Sequence, residues 1–420
     1  MRDLPLFANK KEFFVLMGAV VCLAFVSLLF EFYRYQTLVK ESLHVGKATV
    51  LNHYRKTNDK GKTYDVLKLK LDLGGAEVYT TSWRAMDVTF QSRVKVKLKV
   101  DKVTFYDYVK GFYAPNLSIY EIYEDAPPWN AKAWYRFIAE QHENEKLAEL
   151  YQTLFFATPI SKELRDEVQK WGISHLIAIS GYNVGVISFL LFFFLRPIYR
   201  FFQSRYFPYR NATFDLSCIV FGVLFGYMVV LDFMPSFLRA FAMSVFGFFL
   251  FSRGIKLLSF GTLGLTSLFL LALFPSLWFS LSFWFSVAGV FYLFLLLHHF
   301  GTLPKSVLVL IVDLGVFFLM LPLVHTFFPV FTFLQLTTPI TSLVFVAFYP
   351  LGVVLHVMGY GGVLDDVLLA FLSVPSTHYF LNFPVWFLAL FVLLSLGAIR
   401  FKSLVFVCLG LSGASLFLIQ

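Results

Sequence analysis

Apolar residues follow two different patterns along this chain. The first is a series of nearly uninterrupted apolar runs of about 20 residues, the length of helix that crosses the hydrocarbon core of a bilayer. The second is a strict alternation of apolar and polar residues, which is typical of half-buried strands and is confined to residues 40–125. The apolar runs predict membrane-spanning helices near residues 12–32, 175–195, 214–232, 236–252, 257–274, 277–297, 306–325, 335–357, 384–399 and 403–419.

The alternating region predicts a small all-β domain, a sandwich or a barrel, that lies outside the membrane. Residues 66–73, VLKLKLDL, place their leucines on one face, and residues 93–100, RVKVKLKV, place basic residues opposite apolar ones. We therefore divide the chain into an uncleaved membrane anchor, the β-domain, amphipathic helices along the membrane surface and a multi-span membrane domain: 1–39, 40–125, 126–174 and 175–420.

Composition indicates a membrane protein, and the distribution of charge predicts which segments lie on each side of the membrane. Of the 420 residues, 58% are hydrophobic and only 15% are charged, which excludes an ordinary soluble domain. A loop with four arginines and no acidic residue is predicted to be cytoplasmic by the positive-inside rule: Arg196, Arg200, Arg205 and Arg210. His175 and the β-domain then lie on the outer side. The run 335–357 contains Pro339 and Pro350, so a re-entrant or broken helix is an alternative to a single crossing there.

The sequence lacks the usual signs of a cofactor site. It contains no G-x-x-x-x-G-K-[ST] run, so no built-in ATPase is expected. Its three cysteines, Cys22, Cys218 and Cys408, each lie in an apolar run and have neither zinc-site nor disulfide spacing. We expect no metal and no cofactor.

The stretch His175–Ile187, HLIAISGYNVGVI, concentrates polar residues at the start of a predicted span. On one continuous helix, His175, Ser180 and Asn183 fall at roughly 0°, 140° and 80°, which is a single broad polar arc. Gly181 and Gly185 form a separate G-x-x-x-G stripe, which favours close helix packing. Two interpretations of the polar arc remain open: a lining for a polar path, or hydrogen bonds to a neighbouring helix. The nucleophile pattern G-x-S-x-G is absent around Ser180, so catalysis is disfavoured.

Two further ionisable residues lie inside apolar runs, and one basic strand face lies in the β-domain. Arg239 and Asp313 are costly at membrane depth and therefore indicate a partner or a wet cavity, and a pair between the two is one such arrangement. For Arg239, a side chain that reaches the outer interface is the alternative. On the strand face, Arg93, Lys95, Lys97 and Lys99 are candidate DNA contacts together with the nearby Trp83. An ordinary solvated strand face is the alternative for the basic residues.

The order of these parts resembles the ComEC family, the inner-membrane DNA channels of natural competence. The run GISHLIAISGYNVG (172–185) is similar to the family pattern G-[LI]-S-H-L-[LI]-A-[IV]-S-G-x-H-V-G. Residues 160–172, 234–243 (MPSFLRAFAM) and 321–327 (LPLVHTF) resemble further family elements. Asn183 stands where the family usually has histidine, which puts a proton or metal role at that position in doubt. A hydrogen-bonding role survives there because asparagine both donates and accepts.

The resemblance implies a polytopic α-helical membrane protein with a small extracytoplasmic all-β domain that is OB-like. It implies a channel that passes single-stranded DNA through the bacterial inner membrane, with no enzyme activity of its own. Many members continue into a metallo-β-lactamase-like domain, which is not expected here because this chain stops at Gln420. The expected partners are membrane lipid, a periplasmic DNA receptor, a cytoplasmic helicase or strand-binding protein, a separate nuclease and a second copy of the chain in a homo-oligomer.

Two other functions remain open at this stage. One is secondary transport of a small or lipidic solute, with Arg239 and Asp313 as coupling charges. The other is an intramembrane enzyme that uses Ser180 and His175.

Overall fold

The computed structural model describes residues 9–418, apart from 59, 74, 85, 87, 89, 122–131, 180, 232–234 and 254–258. The chain forms two compact units, which we name by their content. The sheet unit comprises Phe7–Trp129 and Leu265–Ser280, and the helical unit comprises Asn130–Gly264 and Leu281–Gln420.

The sheet unit contains a six-stranded sheet with strand order β5-β3-β2-β1-β4-β6. All pairs are antiparallel except β3 and β5. Its elements are α1 (Lys10–Val39), β1 (Leu43–Thr57), β2 (Thr63–Leu71), β3 (Glu77–Ser82), β4 (Arg93–Lys99), α2 (Phe105–Lys110), β5 (Phe112–Tyr113) and β6 (Asn116–Glu121).

The strand faces predicted from the alternating pattern are confirmed within β2 and β4, whereas Leu73, predicted on the same face as the other leucines, lies beyond the end of β2 and is exposed. Leu67, Leu69 and Leu71 of β2 and the apolar residues of β4 are buried in one core, while the basic residues of β4 lie on the other face. The region is not all-β, however, because α2 is part of it. Thr104 caps α2: its hydroxyl accepts from the Asp107 N–H and the Asp107 carboxylate accepts from Thr104.

The end of α1 belongs to the core of the sheet unit. Leu38 is buried among the sheet residues, and the Tyr35 hydroxyl donates to the Val103 carbonyl oxygen at 2.9 Å. The rings of Phe32 and Tyr35 lie edge-on to Phe105. The segments predicted as a separate anchor and β-domain are therefore packed together in one unit.

The helical unit carries most of the long apolar helices. Its elements, with α10 shared between the units, are α3 (Lys132–Ala139), α4 (Glu145–Phe156), α5 (Lys162–Lys170), α6 (Ser174–Ile177), α7 (Gly181–Tyr206), α8 (Ala212–Val230), α9 (Pro235–Ser252), α10 (Phe260–Leu273), α11 (Leu281–Phe300), α12 (Lys305–Phe327), β7 (Val330–Phe331), α13 (Thr338–Val357), α14 (Asp365–Ser373), β8 (Tyr379–Phe380), α15 (Val385–Gly397) and α16 (Lys402–Ser415).

Within the described residues, six helices are long and apolar enough to cross a membrane. They are α1, α7, α8, α11, α12 and the segment Phe333–Val357 that ends in α13. Four shorter apolar helices account for the other predicted spans: Ala240–Ser252, α10, α15 and α16.

Two expectations about helix placement need correction. The helix α13 runs unbroken through Pro350, and Pro339 lies in its first turn, where no intrahelical partner for an N–H is lost. A broken helix at 335–357 is therefore wrong.

The helix α4, expected on the membrane surface, is enclosed by protein, with Leu147, Tyr151 and Leu154 among its buried residues. Its apolar residues serve as core rather than as a lipid-facing stripe.

Candidate functional site

The turn at the start of the sequence GISHLIAISGYNVG is held by side chains that pack closely against its backbone. Gly172 has a φ of +69°, in the left-handed region that favours glycine. Gln335 Nε2 donates to the Gln169 carbonyl oxygen at 3.1 Å, and the Thr332 hydroxyl donates to that of Lys170. Thr338 Oγ1 lies 3.1 Å from the Trp171 carbonyl oxygen. Side chains that precede or begin α13 thus satisfy the carbonyl groups that α5 leaves open at its end.

The same turn is also bound to the end of α14. The Trp171 ring stacks on Phe371 with 3.9 Å between ring centroids, and its Nε1 donates to the Phe371 carbonyl oxygen at 3.1 Å. Lys170 Nζ donates to the Leu372 carbonyl oxygen at 2.5 Å. The turn at 169–172 is therefore held from two sides before the chain reaches His175.

The chain then leaves the helical conformation between α6 and α7. Ala178 is extended, with φ −62° and ψ 129°. Ile177 and Ile179 are both buried but in different clusters, the first with Leu164 and Trp171 and the second with residues of α7 and α8. In a helix, the side chains of Ile177 and Ile179 would point about 200° apart around one axis. The extended backbone at Ala178 instead places them one after the other along the chain, and each packs in its own cluster. The single continuous helix predicted from residue 175 is therefore wrong.

This break removes the predicted polar arc. His175 lies on α6 with an exposed side chain, and its Nδ1 is 3.0 Å from the Gly172 carbonyl oxygen. Asn183 lies on α7, is only 1% exposed, and hydrogen bonds to Tyr349 of α13. Ser180 lies outside the described residues. The structure thus favours the interhelical interpretation for Asn183 and leaves His175 at the surface of the chain.

The glycine stripe does not pack against a helix of the described chain. Gly181 and Gly185 are exposed, and a Cβ atom at either position would meet no atom within 4 Å. No described residue therefore packs closely on either glycine, and the packing role of the stripe stays a prediction.

The two ionisable residues in apolar runs are described to different extents. Asp313 lies midway along α12, is partly buried, and forms no ion pair with another described side chain. Arg239 lies on α9, and its side chain is outside the described part of the chain. A pair between them stays a prediction.

The basic face of β4 is partly neutralised by acidic neighbours. Arg93 forms a bidentate ion pair with Asp72 at 2.8 and 2.9 Å, and Lys99 Nζ lies 3.5 Å from Asp101. Lys95 and Lys97 form no ion pair with the described acidic side chains. These two lysines are the part of the predicted face that remains able to bind an anion.

Trp83 belongs to a different part of the sheet. It follows β3, its side chain is 65% exposed, and its ring lies 5.2 Å from that of Tyr64. In the strand order, β2 and β1 separate β3 from β4, which corresponds to about 14 Å across the sheet. Trp83 and the β4 lysines could contact one strand of nucleic acid only along an extended path.

One polar cluster has no counterpart in the sequence predictions. His142, in the turn after α3, places Nδ1 3.0 Å from both carboxylate oxygens of Asp365 and Nε2 3.0 Å from His356 Nε2. Its side chain is fully buried. His142 and His356 are 214 positions apart, and no local spacing links them. Among the described residues, no group of three His, Cys, Asp or Glu is arranged to hold a metal ion.

Comparison with known proteins gives one match. A family model described as "Competence protein" matches residues 157–419, more than half of the chain. The matched range contains the Gly172 turn and the helices from α5 to α16. No curated protein and no solved structure matches the chain.

Proposed function

The chain belongs to the competence protein family, and from this premise we propose that it forms the membrane channel that admits single-stranded DNA during natural transformation. The observation that carries the proposal is the match over 157–419, because this range includes five of the six helices that could cross a membrane. A polyanion needs a route shielded from lipid, and a bundle of several spans is able to supply one.

We place the polar route beside the interruption between α6 and α7. Non-helical backbone at membrane depth is tolerated where it is buried in protein or lines a wet cavity. Ala178 supplies such backbone, and the exposed His175 lies next to it. The side-chain contacts that hold the Gly172 turn from α13 and α14, which we call the clamp, would keep this interruption in place while a strand passes. Asn183 is assigned to the wall of the bundle rather than to the route.

We orient the protein in the bacterial inner membrane by its arginines. The predicted arginine loop is helical as far as Tyr206, so that Arg196, Arg200 and Arg205 lie exposed along the C-terminal part of α7. These three form no ion pair with described acidic residues, whereas Arg210 pairs with Asp215 at 2.6 Å. Cationic loops remain in the cytoplasm. The OB-like sheet then lies in the periplasm, where Lys95 and Lys97 would meet incoming DNA.

Other proteins would supply the driving force for strand movement and the degradation of the opposing strand. The sequence has no phosphate-binding loop, so a cytoplasmic helicase or strand-binding protein would draw the strand inward. A periplasmic receptor would deliver the duplex, and a separate nuclease would remove the opposing strand. The channel itself would act without catalysis, in lipid, alone or as a homo-oligomer.

Labelled DNA tests the function directly. In a strain that lacks this gene, labelled duplex should reach the periplasm and fail to reach the cytoplasm, and the intact gene should restore uptake. Normal transformation in the deletion strain would reject the channel and support transport of a small solute instead.

Cysteine labelling tests the orientation. In a variant with Cys22, Cys218 and Cys408 changed to serine, an impermeant maleimide added to spheroplasts should label Lys95→Cys but not Arg200→Cys. Labelling of Arg200→Cys alone would invert the proposed topology.

A further inference from the structure

The contacts around His142 form a built junction, which we call the histidine junction and define as Gln141, His142, His356, Gly361 and Asp365. The Gln141 amide bridges two elements: Nε2 donates to the His356 carbonyl oxygen at 3.2 Å, and Oε1 accepts from the Gly361 N–H at 2.9 Å. A Cβ atom at Gly361 would lie 2.7 Å from the His356 ring. Only glycine leaves room for this arrangement.

The number of protons in the junction follows from its contacts. His356 Nδ1 lies 2.7 Å from the Gly352 carbonyl oxygen, which only accepts, so this nitrogen carries a proton. The contact between the two Nε2 atoms at 3.0 Å needs a second proton. The contact of His142 Nδ1 with the Asp365 carboxylate at 3.0 Å needs a third. Two neutral imidazoles and one carboxylate carry two protons, so the junction as built holds one more.

The extra proton is enclosed, and the chain of contacts does not lead onward. Asp365 is 16% exposed at one end, and the other end stops at the Gly352 carbonyl oxygen, which is no proton carrier. Tyr151 of α4 stacks on His142 with ring centroids 4.7 Å apart. The titratable groups against His142 are therefore Asp365 from α14, His356 from α13 and Tyr151 from α4, while Glu140, Glu143 and Asp366 nearby are exposed. Such a dead end stores a proton rather than conducting it.

We propose that the histidine junction is a proton-binding site that fastens the turn at 141–142 to the end of α13 and the start of α14 only while it holds this proton. Loss of the proton leaves a net charge of −1 on a junction in which the His142 side chain is fully buried, and one of the three contacts then brings two lone pairs together. The junction should therefore loosen as the pH rises. Because α14 also holds the Gly172 turn through Phe371 and Leu372, the proton acts on the clamp that precedes α6.

Two substitutions remove the need for the proton and keep the contacts of the His142 ring, although His356→Gln gives up the contact of His356 Nδ1 with the Gly352 carbonyl oxygen. In Asp365→Asn, the amide donates to His142 Nδ1, and His142 Nε2–H then donates to His356. In His356→Gln, the amide donates to His142 Nε2, and His142 Nδ1–H donates to Asp365. Each variant can satisfy the junction with neutral rings. Asp366→Asn is the matched control, because it makes the same charge change on the exposed neighbour.

The test is hydrogen exchange of the full chain in lipid nanodiscs, followed by mass spectrometry of the peptide that contains the Gly361 amide. Exchange is measured from about pH 5 to about pH 9 and divided by the intrinsic rate at each pH. We expect wild type and Asp366→Asn to lose protection about tenfold as the pH rises, since a charge-assisted hydrogen bond is lost. Asp365→Asn should show no such change.

The pH dependence of exchange distinguishes a proton-binding site from a cluster with a purely structural role. Protection in wild type that is independent of pH would overturn it, as would a pH dependence in Asp365→Asn equal to that of wild type. If Asp365→Asn fails to fold, His356→Gln decides the question in the same way. The measurement needs no DNA, so it stands or falls separately from the channel function.

Discussion

A Cβ atom on Gly172 would lie 2.7 Å from Thr338 Oγ1, closer than a carbon and an oxygen can approach. Gly172 also has a φ of +69°, so alanine there meets both a clash and an unfavourable backbone conformation. We expect Gly172→Ala to destabilise the helical unit by roughly 1–3 kcal/mol. The thermal inactivation midpoint in nanodiscs measures this, and transformation frequency should fall with it.

Gly181→Ala is the matched control for that prediction. Gly181 begins α7, has open space around its Cβ position and does not have a positive φ. This variant should keep the midpoint of wild type within error. Equal losses in the two variants would show that the close approach at Gly172 is not what matters.

The Asn183–Tyr349 hydrogen bond allows the two roles considered for Asn183 to be separated. Asn183→Ala leaves a buried hydroxyl without its partner, which costs about 1–3 kcal/mol, and Tyr349→Phe should cost a similar amount. The double variant should cost less than the sum, because both partners are gone. If Asn183 instead lined the DNA path, Asn183→Ala would reduce uptake at unchanged stability and Tyr349→Phe would not reproduce it.

The sheet unit should lose stability in acid through Asp65. Burial alone would raise the pKa of Asp65, but hydrogen bonds from the Met86 N–H at 2.7 Å, His53 and Arg55 bring this pKa below its ordinary 3.8. A lowered folded-state pKa gives stability that is present above 3.8 and is lost as the pH falls through the lowered value. Hydrogen exchange of the β2 amides, corrected for intrinsic rates, should therefore accelerate below about pH 4.

Asp65→Asn should remove that acid dependence and also weaken β2 at neutral pH, because the amide supplies no charge to Arg55. Asp101→Asn is the control, since Asp101 is exposed and its carboxylate lies 3.5 Å from Lys99 Nζ at the surface. An unchanged acid profile in Asp65→Asn would assign the acid sensitivity to another carboxylate.

Lys95 and Lys97, which pair with no acidic side chain in the described part of the chain, should carry strand binding. We expect Lys95→Gln with Lys97→Gln to weaken binding of single-stranded DNA by the full chain and to reduce the slope of log K against log salt by about 1.4, or 0.7 for each contact. Fluorescence anisotropy of a labelled oligonucleotide measures both. Lys162→Gln with Lys305→Gln removes the same charge from exposed helix positions outside the sheet and should leave both values unchanged.

Prediction from the sequence succeeded where a local period decides the structure. Alternation over a few residues is enough to place Leu69 inside and Lys70 outside, because successive strand residues point to opposite faces. The long apolar runs likewise identified α8, α11 and α12 to within a few residues. In each case the determining neighbours are adjacent in the chain.

Prediction failed where partners are distant in sequence. The extended backbone at Ala178 results from two separate clusters that bury Ile177 and Ile179, and no pattern within the run records that. The neutralisation of Arg93 depends on Asp72, which faces it only after the sheet has formed. The histidine junction joins the turn after α3 to α13 and α14, so its members could not be connected before folding.

Because Tyr35 and Leu38 pack into the core of the sheet unit, a change in the tilt of α1 would also change the orientation of the sheet. The apolar run of α1 extends from Phe13 to Phe30, about the length that crosses a bilayer core, so a thinner or thicker membrane would change the tilt of this helix. Because its last turns share a core with the strands, the sheet must turn with it. Lipid composition would then change the orientation of the sheet face with Lys95 and Lys97, where we propose that DNA binds.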